Sequence, residues 1–296
     1  MNITVIGGTG LMGPYLVKAL INQGHQVNCL NRRGKSEYGT SLSCDRRHHE
    51  QLKQTLEVLE PEVVIDMIPF IQADAEGVCQ ALKEQTQVQI IAVSSIDVYQ
   101  AYGRLHRTEL GPYQTCPIRE TDALREQPSI RNDTYDKISV ENTYLKHFEN
   151  VAILRLPAIY GWPDRRRVDE YIRLEQESER VLRLHPDYAH WRFSRASAPD
   201  CAHGITLTAG LMGHHIYNVS EETALSTEAW CQAVWHAADI QAEILYDSKA
   251  EIPFNIDTQQ HWYVDSTKIR TELGYEETTD QHAVLRENIR RIREAA

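Results

Sequence analysis

The sequence lacks the features that mark membrane, nucleic-acid-binding and disulfide-stabilised proteins. No run of about 18 apolar residues occurs in its 296 residues, so no membrane-spanning helix is predicted. A net charge of −11 argues against a chain-wide basic face for nucleic acid or anionic lipid. The six cysteines form no C-x-x-C pair, and the thirteen histidines show no H-x-x-x-H or H-E-x-x-H spacing. We therefore predict neither a metal site nor a disulfide framework.

The composition is that of an ordinary globular protein, with 42% hydrophobic and 25% charged residues and no internal repeat or low-complexity tract. A chain of this length buries roughly three quarters of its unfolded surface, enough for one large domain or two closely packed ones. The first predicted strand starts at Asn2, which leaves no room for a secretory signal. We expect a soluble cytoplasmic protein whose partners are small molecules, not nucleic acid or membrane.

The first thirty residues have the pattern of a strand–helix–strand unit. An apolar strand (Ile3–Ile6) leads into a glycine turn and a helix, and a second strand (Val27–Leu30) follows. The turn has a G-x-x-G-x-x-G spacing, which permits a tight turn, a close approach to a pyrophosphate and helix–strand packing. The residues of this turn predicted to bind a dinucleotide are Gly7, Thr9, Gly10, Leu11, Met12 and Gly13.

The end of the second strand indicates which dinucleotide is used. Enzymes that use NAD normally present Asp or Glu here to the ribose hydroxyls, whereas this chain has Asn31, Arg32 and Arg33. No carboxylate is present to repel a 2′-phosphate, and two guanidiniums can pair with one. The alternative is that the arginines are simply solvated. We favour NADP, with NAD possible, and predict that these three residues bind the cofactor.

The rest of the chain predicts a doubly wound α/β fold. Apolar runs that read as strands alternate with helical segments, which is typical of a parallel sheet covered on both faces. These strands are Leu42–Cys44, Glu62–Ile68, Val88–Ser94 and Val151–Pro157. We predict a Rossmann-type dinucleotide-binding domain over residues 1–157, to which a strand near residues 215–219 returns, and a smaller substrate-binding part over residues 158–296.

Several motifs, in a fixed order along nearly the whole chain, carry a resemblance to a known family. They are "GGTGLMG", "VSSIDVY", "DKISVEN", "ILRLPAIYG" and "VDSTKIRTELGY". The chain resembles an extended or atypical short-chain dehydrogenase/reductase of the NAD-dependent epimerase/dehydratase group, many of whose members act on nucleotide sugars. The ordered set is far more specific than any one motif.

The resemblance implies roles for individual residues. Ser95 lies where the family has the serine or threonine that hydrogen-bonds the substrate oxygen. Lys137, four residues before Glu141, lies where the family's lysine holds the nicotinamide ribose and lowers the pKa of a catalytic tyrosine. Asp97 lies where dehydratases of the family often place an acid.

Further residues are expected to contact the cofactor or the substrate. Asp45 and Arg46 resemble the pair that borders the adenine, and Pro157 belongs to the cofactor-binding set. Arg165, in the triple Arg165–Arg167, and Arg192 lie in the region that often holds a nucleotide sugar's diphosphate. Tyr99 is assigned to the substrate pocket, although such a residue also commonly just packs a loop.

The chain departs from the family at its tyrosine. The family places this residue four before the lysine, and that position is Asp133. Tyr135 is two before the lysine, and in a regular helix residues two apart point nearly oppositely. If the helix begins only at Thr134 or Tyr135, Tyr135 lies at its edge and can turn towards Ser95. The alternative is a surface aromatic without acid/base chemistry.

Two functions of different classes fit these observations. The first is an NAD(P)-dependent epimerase, dehydratase or reductase acting on a nucleotide sugar or a similar small molecule. Ser95, Asp97, Tyr135 and Lys137 would be its catalytic residues. The second is a non-catalytic NADP(H)-binding sensor or RNA-associated protein on the same fold, which the displaced tyrosine motivates. A homodimer is also plausible for this family.

Overall fold

A computed structural model of the chain describes residues 1–85, 87–130 and 134–295. Within those stretches no helix is both long and apolar enough to cross a bilayer. The strands are β1 (Asn2–Ile6), β2 (Gln26–Asn31), β3 (Thr40–Ser43), β4 (Val63–Asp66), β5 (Gln89–Ser95), β6 (Val151–Leu156), β7 (Ala158–Tyr160), β8 (Val181–Leu184), β9 (Arg195–Ser197), β10 (His214–Asn218) and β11 (Glu243–Tyr246).

The helices connect these strands. They are α1 (Gly13–Asn22), α2 (His49–Leu59), α3 (Gln72–Ala81), α4 (Gln100–Leu105), α5 (Lys137–His147), α6 (Asp169–Ile172), α7 (Pro186–His190), α8 (Ala198–Thr206), α9 (Thr227–Ala238), α10 (Thr267–Leu273) and α11 (Gln281–Glu294). The predicted sheet strands of the first half all form, within a few residues of their expected ends.

Seven parallel strands form the central sheet in the order β10-β6-β5-β4-β1-β2-β3. The apolar runs bury residues on both faces of this sheet. One face packs on α1 and α8, and the other on α2, α3 and α5. This is the doubly wound Rossmann-type fold predicted from the sequence.

Strand β10 comes from the C-terminal half of the chain. His214–Asn218 pairs in parallel with residues 151–155 of β6, at the edge of the sheet. A third apolar cluster lies in the C-terminal part, where Tyr160, Trp230 and Leu285 are buried together. The division into residues 1–157 and 158–296 stays a prediction about binding roles.

Candidate active site

The glycine turn after β1 has the geometry of a dinucleotide cradle. Gly7 has φ +87°, and a Cβ on it would lie 2.8 Å from the Ile68 side chain. A Cβ on Gly13 would lie 2.1 Å from the Gly8 carbonyl oxygen. Around Gly10, by contrast, a Cβ would meet nothing within 4 Å. Packing therefore requires two of the glycines, while the third borders open space that suits a pyrophosphate.

The residues between the glycines leave the start of α1 open to an anion. Met12 is the N-cap of α1, and its side chain accepts no hydrogen bond from the helix. Leu11 packs against the core beside Met12, while Thr9 is exposed. Backbone N–H groups at such a terminus, together with the helix dipole, favour a phosphate.

The segment after β2 presents cations at its surface. The Asn31 side-chain oxygen accepts hydrogen bonds from the backbone N–H groups of Arg33 and Lys35, at 3.1 and 3.3 Å, so its amide shapes the turn. Arg32 and Arg33 are exposed, and no acidic side chain of the described residues forms an ion pair with either. Lys35 is a third exposed cation here that the sequence reasoning missed.

The structure places Asp45 and Arg46 differently from each other. Asp45 accepts a hydrogen bond from the backbone N–H of Arg47 and stays partly exposed. The Arg46 guanidinium donates to both carboxylate oxygens of buried Asp66, at 2.6 and 2.8 Å, and the Tyr144 hydroxyl donates to the same carboxylate. The Arg46 side chain is thus engaged in the core, which leaves its main chain for any contact with a cofactor.

Lys137 lies at the carboxyl ends of β4 and β5. Its ammonium donates to the backbone oxygens of Pro69, at 2.7 Å, and Val93, at 2.9 Å. An ammonium has three protons, so one is left for a further acceptor such as a ribose hydroxyl. Burial lowers the pKa of Lys137 to about 8, although the charges of Asp97 and Asp66 oppose this shift.

The helix after Tyr135 begins later than expected. Helix α5 starts at Lys137 with Asp136 as its N-cap, two to three residues after the start at Thr134 or Tyr135 that the sequence left open. The Asp136 side chain accepts from the backbone N–H of Ser139, which closes the helix before Tyr135 can join it. Asp133, at the family's tyrosine position, lies outside the described residues.

Tyr135 lies outside α5, whereas Lys137 is its first residue, so helix geometry does not fix the relative direction of their side chains. The Lys137 ammonium lies 5.6 Å from the centre of the Tyr135 ring, and the Phe70 ring lies 6.1 Å from the same centre. Two side chains that a regular helix would point in nearly opposite directions are here neighbours. The late helix start is the physical reason.

Asp97 completes the group. It is 6% exposed, and the Tyr135 side chain is hydrogen-bonded to its carboxyl group. In the described part of the chain its Oδ1 is buried without a hydrogen-bond partner. Burial raises the pKa of Asp97, while the hydrogen bond to Tyr135 and the charges of Lys137 and Arg125 act in the opposite direction.

Ser95 lies at the end of β5, beside this group. Its Oγ accepts a hydrogen bond of 3.3 Å from the backbone N–H of Asp97 and so caps the 3₁₀ turn Ile96–Val98. The structure thus brings the four predicted catalytic residues together at one edge of the sheet. Sequence reasoning missed Pro69, Phe70 and Arg125 near them. The first two follow β4 directly, which was a usable signal.

Tyr99 is placed in the core. It is 0% exposed, and its hydroxyl donates to Oδ1 of Asn218 at 2.6 Å and accepts from Arg155 at 3.1 Å. Tyr99 is therefore a core residue whose hydroxyl is engaged inside the protein.

Pro157, which was assigned to the cofactor, is buried between β6 and β7.

The two arginines assigned to the substrate make their side-chain contacts within residues 158–296. Arg165 pairs with Asp169 at 2.9 Å on the outer surface of the C-terminal part, in a depression of about 410 Å³. Arg192 donates to the Ala224 carbonyl, and its guanidinium lies 4.8 Å from the centre of the Tyr263 ring. No cluster of three metal-ligating side chains occurs within residues 1–85, 87–130 and 134–295.

The chain has a parallel sheet with a glycine turn after its first strand. At the carboxyl ends of the strands lie Ser95, Tyr135 and Lys137. This combination is typical of a dinucleotide-binding protein of Rossmann type. The model of the NAD dependent epimerase/dehydratase family matches residues 3–185, more than half of the chain, and the chain belongs to this family. A search of curated protein sequences returns no match.

Solved structures show the same fold at low identity. UDP-N-acetylglucosamine 4-epimerase from Bacillus cereus is 18% identical with a TM-score of 0.75, covering 98% of this chain and 99% of that chain. A dTDP-glucose 4,6-dehydratase from Bacillus anthracis, in complex with NAD, is 15% identical with a TM-score of 0.74, covering 99% and 97%. UDP-glucose 4-epimerase from Thermotoga maritima, with UDP-glucose, is 15% identical with a TM-score of 0.73, covering 100% and 99%.

Proposed function

We propose that this chain is an NADP(H)-using epimerase, dehydratase or reductase that acts on a carbinol or carbonyl carbon of a nucleotide sugar. The observation that carries the proposal is the grouping of Tyr135, Lys137 and Asp97 beside Ser95. The family supports the reaction type, and the nucleotide-sugar enzymes with the same fold support the substrate class.

The residues present fit a dinucleotide. The open space at Gly10 and the uncapped start of α1 suit the pyrophosphate, and the third proton of the Lys137 ammonium suits a ribose hydroxyl. The exposed Arg32 and Arg33 suit a 2′-phosphate, which supports NADP over NAD. When bound, the nicotinamide supplies the hydride chemistry.

The side chains of this protein handle the proton. An unperturbed tyrosine has a pKa of about 10, so Tyr135 needs a nearby cation to act near neutrality, and Lys137 is that cation. In its deprotonated form the Tyr135 oxygen takes the proton of the substrate hydroxyl, and in its protonated form it gives that proton to the carbonyl oxygen in the reverse direction. Ser95 orients the same substrate oxygen, and the Asp97 carboxyl group holds Tyr135 through its hydrogen bond.

Turnover of a panel of UDP- and dTDP-sugars by wild type and Tyr135→Phe tests this function. Products are followed by NMR and cofactor reduction by absorbance. We expect the phenylalanine variant to lose roughly a hundred-fold or more in kcat while it binds cofactor normally. A variant that keeps full turnover on the true substrate would show that Tyr135 is not the acid/base.

The cofactor preference has its own experiment. We expect Arg32→Ala/Arg33→Ala to weaken NADPH binding and leave NADH binding unchanged, because only NADPH has the 2′-phosphate. Lys83→Ala, which removes an exposed cation elsewhere on the surface, is the matched control. Unchanged NADPH affinity in the double variant would contradict the NADP proposal.

The same panel separates the enzyme from a binding protein. Tight NADPH binding with no hydride exchange on any alcohol or ketone would favour a non-catalytic sensor.

We further propose a cytoplasmic location and a homodimer. Sedimentation of the purified protein measures the oligomeric state.

A further inference from the structure

The long segment between α4 and α5 returns to the catalytic group through one buried side chain. Arg125 has a side chain that is 3% exposed. Its backbone N–H donates to the Val98 carbonyl at 2.9 Å, and Leu124 bridges to Tyr99, so the segment pairs antiparallel to the turn that carries Asp97. The main chain at Arg125 is therefore held in place independently of the contacts that its side chain makes.

The guanidinium of Arg125 spans the two sides of the catalytic group. Its Nε donates to the backbone oxygen of Asp97 at 3.0 Å, and its Nη1 donates to the Gln127 carbonyl at 2.7 Å. Its Nη2 lies 3.5 Å from Oδ1 of Asp136, the N-cap of α5. Asp136 stands between Tyr135 and Lys137 in the sequence. The Arg125 guanidinium therefore contacts the turn at Asp97 on one side and the start of α5 on the other.

The helix start is fixed from a second direction as well. The backbone N–H of Asp136 donates to the Phe70 carbonyl at 2.7 Å, next to the Pro69 carbonyl that accepts from Lys137. Together these contacts decide that α5 begins after Tyr135, which is the condition for Tyr135 to reach Asp97. The contact of Nη2 with Asp136 is an ion pair without a hydrogen bond, while Nε and Nη1 of the same guanidinium donate hydrogen bonds, a combination that the single nitrogen of an ammonium cannot provide in the same geometry.

We propose that Arg125 is a positioning residue for the reaction, whose guanidinium holds Asp97 and the start of α5 at the separation that places Tyr135 between Asp97 and Lys137. The inference rests on the proposed function, because Tyr135 is taken there as the acid/base. Arg125 itself touches neither substrate nor cofactor in this role.

The charge of Arg125 gives a readout that a purely structural brace would not move. The groups that face the Asp97 carboxyl are Tyr135, Lys137, Arg125 and Ser95, and two of them are cations. Burial raises the pKa of Asp97, and both cations work against it. Removal of the Arg125 charge leaves Lys137 alone, so Asp97 must hold its proton to a higher pH.

The experiment compares Arg125→Gln, which removes charge and fork, with Arg125→Lys, which removes only the fork. Arg119→Gln is the matched control, because Arg119 lies on the same segment with its side chain 72% exposed. We expect both Arg125 variants to lose roughly a hundred-fold in kcat with little change in KM, since misplacement by about 1 Å costs this much. Only Arg125→Gln should move the acidic limb of the pH profile to higher pH.

Added guanidinium ion should restore part of the turnover of Arg125→Gln. Full activity in either Arg125 variant, or an acidic limb that stays in place in Arg125→Gln, would overturn the inference. A loss that merely follows thermal stability would do so too.

A measurement without turnover separates this inference from the proposed function. The carboxyl carbon of Asp97 is titrated by NMR in the cofactor-free protein and assigned with Asp97→Asn. We expect its midpoint to move to higher pH in Arg125→Gln and to stay in place in Arg119→Gln. If it moves and no substrate is ever turned over, the proposed function fails alone; if it does not move in an active enzyme, the inference fails alone.

Discussion

The guanidinium of Arg155 forms a two-pronged ion pair with the carboxylate of Glu141, with Nε at 3.1 Å and Nη2 at 2.7 Å, and both side chains are 3% exposed. Ser94 donates to the same carboxylate at 2.5 Å. The pair ties α5, which begins with Lys137, to β6 and to the end of β5. Glu141, four residues after Lys137, is therefore a structural residue.

Removal of one partner of this pair should destabilise the fold. We expect Glu141→Gln to cost about 3–5 kcal/mol, because it leaves Arg155 as a buried charge without its partner. Chemical denaturation measures the loss. Glu287→Gln is the control, since Glu287 pairs with Arg290 and Arg291 on the surface of α11, and such pairs contribute about 1 kcal/mol or less. Equal losses in the two variants would contradict the buried pair's role.

Alanine substitutions in the glycine turn should affect dinucleotide binding and folding stability separately. Gly10→Ala should leave the melting temperature unchanged, because a Cβ there meets nothing within 4 Å, yet weaken dinucleotide binding about ten-fold or more by occupying the space of the pyrophosphate. Gly13→Ala should lower stability by about 1–3 kcal/mol, since its Cβ would lie 2.1 Å from a backbone oxygen. Calorimetry and fluorescence titration measure the two effects. The reverse pattern would show that the turn is not a cradle.

Cofactor affinity should depend on the charge of Lys137. Its pKa is about 8 because of burial, so the ammonium proposed to donate to the ribose is lost as pH rises through this value. We expect NADPH affinity to fall above pH 8, by up to about ten-fold per pH unit, and to be level between pH 6.5 and 7.5. Fluorescence titration measures it. Lys137→Met should bind more weakly with no such fall, and a flat wild-type curve to pH 9.5 would rule out this role.

Asp97 should cost stability while it supports turnover. Its pKa is raised by burial, so its favourable contribution is present at pH values below the pKa of an unfolded aspartate and is lost as pH rises through the folded pKa. We therefore expect Asp97→Asn to gain stability over wild type as pH rises from 4 to 8, while kcat falls about a hundred-fold. Thermal melts at several pH values measure the first effect. Exposed Asp187→Asn should show neither, and a gain there of equal size would refute the assignment.

Local patterns were enough to predict the sheet and the position of the glycine turn after β1. Each strand is a short apolar run, and the glycines directly follow the first run. Each of these patterns is therefore complete within a few neighbouring residues. The register of Lys137 was also readable, because Glu141 follows it by four. These features depend on neighbours in sequence.

Other features depend on residues far away in the chain. The buried Tyr99 hydroxyl donates to Asn218, which is 119 residues distant, and the Arg46 guanidinium donates to the buried Asp66. The start of α5 depends on Phe70 and Arg125, which no spacing rule connects to Tyr135. The side-by-side arrangement of Tyr135 and Lys137 could thus be stated as a possibility from the sequence, and only the tertiary contacts decide it.

The position of β10 limits how this chain can be recombined with its relatives. Because His214–Asn218 completes the sheet beside β6, the two halves of the polypeptide are interleaved and are not sequential modules. A chimaera with a single crossover at residue 157 would join a foreign edge strand to this sheet and would also lose the bond between Tyr99 and Asn218. A transplant of residues 158–296 from a relative therefore needs crossovers on both sides of that strand, so that the native edge strand stays with its own sheet.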